Sequence, residues 1–175
     1  QTQLQIATSN PQLHNMYQIY RNMYNAIGVK DVDAVLPPPA PTAPMDPSME
    51  HINAMAGKPF QAFPGQDHRA HITAHLNFMS TNMVRNNPMI MAAIQKNILE
   101  HISIMAQEQI QLEFREQMMQ MQQMQQMAAT NPQVQAQLQS MTNQIEARKA
   151  TLIAEMTEEY MKEEKKITSQ FDNDP

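Results

Sequence analysis

Four times along this chain an Asn or Asp stands before a proline with room for a helix to follow: Asn10-Pro11, Asp46-Pro47, Asn87-Pro88 and Asn131-Pro132. In each pair the first side chain supplies an N-cap acceptor. The proline supplies a preset φ and lacks the N–H that the first helical position would leave unpaired. Four such starts predict at least four helices. Only three glycines accompany them, too few for hairpin-rich sandwiches or glycine-rich phosphate-binding loops. The expected fold class is therefore all-α.

Periodicity fills in the segments between these starts. After Asn10-Pro11, Leu13, Met16, Tyr17, Tyr20 and Ile27 recur at helical steps up to Gly28, a short amphipathic helix with a glycine just past its end. Val29 to Leu36 reads as a brief extended segment. Six prolines between Pro37 and Pro47 predict a semi-rigid polyproline-type connector. A helix from Pro47 to about Ala56 stops at Gly57, Lys58 to Gln66 is a loop, and another helix spans about Asp67 to Asn82. From Pro88 the stripe Met91, Ile94, Ile98, Ile102, Met105 and Leu112 holds one helix face to about Phe114. The Gln/Met tract Gln117 to Met127 then continues the helix to about Thr130 on propensity, without a clean face. From Pro132, Val134, Leu138, Met141, Ile145, Leu152 and Met156 step close to a heptad seam, with Arg148 within it.

The two-residue break at Thr130 and Asn131 predicts that these long helices form an antiparallel hairpin. The expected organisation is a short N-terminal helical segment (1–36), a proline-rich linker (37–47), short helices with a His-rich face (48–86) and the long hairpin (87–175). Because the chain opens at Gln1 without an initiator Met, it is expected to be a fragment of a longer protein. Composition bears on how such a hairpin can be stable. Fewer than a fifth of the residues are Leu, Ile, Val or Phe, while 18 are Met, and Met fills gaps without specifying one packing. A hairpin about 60 Å long with one thin stripe per arm needs neighbours. The packing residues expected to serve that end are Met91, Ile94, Ile98, Ile102 and Met105 on one arm and Val134, Leu138, Met141, Ile145, Leu152 and Met156 on the other, packed in an oligomeric ring.

The clearest candidate for chemistry is Asp67-His68-Arg69-Ala70-His71-Ile72-Thr73-Ala74-His75. His71 and His75 have the four-residue spacing that lets two imidazoles reach one metal ion from a helix face. The zinc-protease pattern would place Glu after the first His, where this chain has Ile72, so no general base is supplied. Packing or hydrogen-bonding histidines are the favoured reading, with metal binding by His71 and His75 the alternative. The absence of Cys removes disulfides, thiolate metal sites and thiol nucleophiles. Pro38 and Pro41 make only a bare P-x-x-P, Lys149, Lys162, Lys165 and Lys166 are interleaved with Glu, and Glu163 and Glu164 lie in a charged helix rather than a cleft. No catalytic residue and no cofactor is assigned, and the chain is not expected to be an enzyme. No apolar run approaches membrane-spanning length, so a soluble protein without a membrane partner is expected. The net charge of -5 is the wrong sign for gripping phosphate backbones.

From Pro64-Gly65-Gln66-Asp67-His68-Arg69-Ala70-His71-Ile72-Thr73-Ala74-His75 to Met79, the sequence resembles the C-terminal part of portal proteins of tailed bacteriophages. The resemblance extends from Leu36-Pro37-Pro38-Pro39 through Asn87-Pro88 and Ile98-Leu99-Glu100-His101-Ile102 to about Gln109, under half of the chain. It implies a ring, usually a dodecamer, at one capsid vertex of the virion. Such a ring is assembled in the host cytoplasm and forms the channel for genome packaging and ejection. The implied partners are capsid proteins, terminase during packaging, head-to-tail connector proteins, and double-stranded DNA that passes without sequence-specific binding. The alternative is a coiled-coil adaptor or scaffolding protein that uses the Val134 to Met156 seam to bind partner helices. A metalloenzyme built on His71 and His75 is a third reading.

Overall fold

The computed structural model describes residues 2–9 and 14–172. Among them the protein is all-helical, without strands, and it divides into two compact units, 1–42 and 43–175. The division falls within the proline-rich segment.

The first unit contains α1 (Thr2–Ser9), α2 (Met16–Ala26) and α3 (Val32–Val35). The predicted start at Asn10-Pro11, and Leu13 with it, lies outside the described residues. Helix α2 is capped instead by Asn15, whose side chain accepts from the Gln18 amide. It ends as its glycine predicts. Gly28 has φ +80°, and the Gly28 and Val29 amides return to Asn25 and Tyr24, a Schellman closure that needs the left-handed conformation. Within the segment expected to be extended, Val29 to Leu36, Val32–Val35 form α3 instead. The Asp31 side chain caps the Ala34 amide, and Asp33 pairs with Arg21 of α2, local polar bonds that override the β preference of Val32 and Val35.

The second unit contains α4 (Pro47–Met55), α5 (His68–Met79), α6 (Asn82–Arg85), α7 (Pro88–Glu113), α8 (Arg115–Ala128) and α9 (Pro132–Asp172). Three of these helices open at the remaining Asx-Pro pairs. Asp46 accepts from the Ser48 amide, Asn87 from the Met89 and Ile90 amides, and Asn131 from the Gln133 amide. The core is shared by α4 to α9. Ile72, Leu76 and Met79 of α5, Val84 of α6, and Ile94, Ile98 and Ile102 of α7 form one buried cluster with Ile145, Leu152, Met156 and Tyr160 of α9. The segments 48–86 and 87–175 therefore pack on one another within one unit.

The helix predicted to run unbroken from Pro88 to Thr130 is interrupted at Phe114, whose φ of -109° and ψ of 19° leave the α region. The pattern of burial gives the reason. Ile90, Ile94, Ile98, Ile102, Ala106 and Ile110 are buried at successive four-residue steps, and each such step carries a straight helix face about 40° onward. The break at Phe114 resets the phase. Beyond it Met118, Met121 and Met124 turn inward, so the Gln/Met tract, expected to lack a face, has one. The loop 57–67 is held to α7 by carboxylates: the Ala62 amide donates to Glu100 (3.2 Å) and the Gly65 amide to Glu108 (2.8 Å). No described helix is long and apolar enough to cross a membrane.

Candidate functional site

The predicted packing residues fall into three groups. Ile94, Ile98, Ile102, Ile145, Leu152 and Met156 are buried in the common core, and Met91 and Met105 pack against it half-buried. Val134, Leu138 and Met141 are also half-buried. They mark the first third of α9, where the seam continues but the core thins. Arg148, the polar residue in that seam, reaches Glu113 (3.2 Å) and Glu155 (3.8 Å).

The other concentration of chemistry lies where α4, α5 and α7 meet. Asp67 caps α5 through the Ala70 amide, and from that start His68, His71 and His75 fall on the face that also buries Ile72, Leu76 and Met79. Glu50 comes from α4 and His101 from α7, between Ile98 and Ile102. Glu50, His75 and His101 are all 0% exposed, and His68 and His71 are buried. A ring nitrogen of His71, a ring nitrogen of His101 and a carboxylate oxygen of Glu50 lie within 4.8 Å of one another. The His71 and His101 rings are 4.8 Å apart between centroids, and the His75 and His101 rings 5.7 Å. The spacing in the sequence suggested His71 with His75. The three-helix geometry instead groups His71 with His101 and Glu50, and places His75 behind the carboxylate.

Hydrogen bonds orient these rings. His71 Nδ1 lies 3.0 Å from the Asp67 carbonyl oxygen. The Gln66 amide nitrogen donates to the Met45 carbonyl (3.2 Å) and lies 3.1 Å from His71 Nε2. Nε2 also lies 3.1 Å from the Met45 carbonyl oxygen, so both ring nitrogens face a carbonyl; in the neutral tautomer with Nδ1–H donating to Asp67, Nε2 accepts from Gln66 and makes no bond to Met45. His101 Nδ1 lies 2.8 Å from His68 Nδ1, and His68 Nε2 faces Glu108 at 3.4 Å. With the His68 proton on Nε2 toward that carboxylate, His101 donates from Nδ1 and its Nε2 carries a lone pair. His51 Nε2 is 2.9 Å from His75 Nδ1, and His75 Nε2 stands 3.2 Å from Glu50 Oε2.

Several atoms at the centre remain unsatisfied. Glu50 Oε1 and Oε2, His75 Nε2, His68 Nε2 and His101 Nε2 are buried without a hydrogen-bond partner among the described residues. The His75 and Glu50 atoms are within ion-pair distance but not in hydrogen-bonding orientation. Burial, and after it the neighbouring imidazoles of His71, His75 and His68, pushes His101 down to about 3. Burial, followed by His75, pushes His51 down to about 4. Both rings are thus held neutral at neutral pH.

No family model, curated protein or solved structure matches the chain. Glu50, His51 and His101 are the residues of this cluster that sequence periodicity did not select. One signal was present: His101 occupies a position on the apolar stripe of α7, where a polar ring must find partners.

Proposed function

We propose that this chain is a structural element of a portal-type ring, its long helices packing side by side with those of identical subunits around a channel for double-stranded DNA. We read α7, α8 and α9 as one antiparallel helical hairpin. In support, Met118 and Met121 share a groove with Ile145, Glu113 pairs with Arg148, and Ile98 shares a groove with Tyr160. Residue numbers fall along one arm as they rise along the other.

The observation that carries the ring reading is the apolar surface left outside the hairpin's own seam. Leu112 is 78% exposed, and Met119, Met127 and Met161 are each about half exposed. A second copy of the chain is the natural cover, because a thin two-arm seam gains most from a lateral neighbour with the same heights and spacing. The charge of -5 suits a lumen along which phosphates slide without tight binding. Capsid, terminase and head-to-tail connector proteins are the partners that this role requires, and the virion vertex is its place. The role is mechanical and requires no catalytic group.

Native mass spectrometry of the intact protein, with negative-stain imaging of the same sample, tests this reading. A closed ring of about twelve copies with a central hole supports it. A discrete dimer to tetramer without a hole overturns it and favours a coiled-coil adaptor.

A further inference from the structure

We propose that Glu50, His71 and His101 bind one divalent first-row transition-metal ion of the zinc class, which fastens α4 and α5 to α7. This inference stands independently of the assembly reading.

Two imidazoles and one carboxylate form a donor set that selects such ions over Ca²⁺ or Mg²⁺, which prefer oxygen alone. Two of the three donors carry unused lone pairs. His101 Nε2 and both Glu50 oxygens have no partner among the described residues, and His71 Nε2, which accepts from the Gln66 amide with the Met45 carbonyl oxygen 3.1 Å away, must give up the Gln66 bond to ligate. The opposite nitrogens are already held. His71 Nδ1 is fixed by the Asp67 carbonyl and His101 Nδ1 by His68, the outer-layer arrangement that sets the ligating tautomer in metal sites. His75 stands at 3.2 Å to steady Glu50.

The donors lie within 4.8 Å of one another. A tetrahedral ion with bonds of about 2.0–2.1 Å needs them about 3.4 Å apart, a closure of about an ångström or more that side-chain rotation can supply. Burial of every donor marks a structural ion. A buried carboxylate without a hydrogen-bond partner is costly, and a dication converts that cost into three coordinate bonds. This site would set the register of three helices.

The test uses the intact protein stripped of metal with a chelator, then titrated with Zn²⁺ and separately with Co²⁺. The expected results are one ion per chain, visible ligand-field bands for Co²⁺ characteristic of nitrogen and oxygen donors, and a rise in unfolding midpoint. That rise should be about 5–10 °C when free Zn²⁺ is a hundredfold above the dissociation constant. Glu50→Gln and His101→Gln should each weaken Zn²⁺ binding at least about tenfold, while His14→Ala, outside the cluster, should leave it unchanged. The wild-type titration decides the question even if a core variant fails to fold. Absence of stoichiometric binding to the wild type, or equal binding by wild type, Glu50→Gln and His101→Gln, overturns the proposal.

Discussion

Asn87 shows how a single side chain sets the start of a long element. Its Oδ1 accepts from two amides at the head of α7, donors that the helix itself cannot satisfy. Replacing it with Ala should lower stability by about 1 kcal/mol, measured as a shift in urea midpoint at constant slope. Tyr160 presents the opposite case. Its ring is buried against α5 and α7, but its hydroxyl has no partner among the described residues, and burial pushes the phenol upward from its ordinary value. The folded protein therefore holds the proton after the unfolded chain has released it. Stability is complete below pH 10 and is lost as pH rises through the raised value. Tyr160→Phe removes an unsatisfied group and should raise stability by about 1 kcal/mol. It should also flatten the alkaline loss, as seen in unfolding midpoints measured from pH 8 to 11.

At the scale of the element, α8 shows why composition is a poor guide to packing. Its Gln and Met residues favour helix without indicating a face, since Met119 and Met127 interrupt any stripe drawn from hydropathy. The face emerges from its phase relative to α9. Met124 is 8% exposed and Met119 53%. Met124→Ala should therefore cost about 2 kcal/mol, near the lower end for a buried methionine. Met119→Ala should change the stability of the single chain by no more than about 0.5 kcal/mol. Thermal unfolding of the two variants side by side checks the assignment, and equal losses would contradict it. In the ring proposed above Met119 would acquire a neighbour, so there the same substitution should weaken assembly.

For the whole molecule, the division at residues 42 and 43 has a direct consequence. The common core and all members of the Glu50, His71 and His101 cluster lie within 43–175. A chain starting at Ala43 should unfold cooperatively, with helical circular dichroism matching α4 to α9. It should also retain the Zn²⁺ response of the intact protein. Loss of either property would mean that residues 1–42 contribute to the second unit's stability.

The local elements were largely legible because their causes are local. The cap acceptors Asp46, Asn87 and Asn131 precede prolines that cannot serve inside a helix, and Gly28 and Gly57 take up positive φ just past helix ends. These features read directly from neighbours in the chain, as does the stripe from Ile94 to Ile102. Such local signals fail where a tertiary partner intervenes. The interruption at Phe114 follows from the need of α7 and α8 to keep facing α9, and the inward turn of Met118, Met121 and Met124 has the same origin. The clustered chemistry depends still more on the fold. Three histidines of α5 share a face by periodicity alone, but Glu50 and His101 lie 21 positions before and 30 after His71. Helical spacing relates residues within one element, whereas a buried polar centre is assembled by the packing of three.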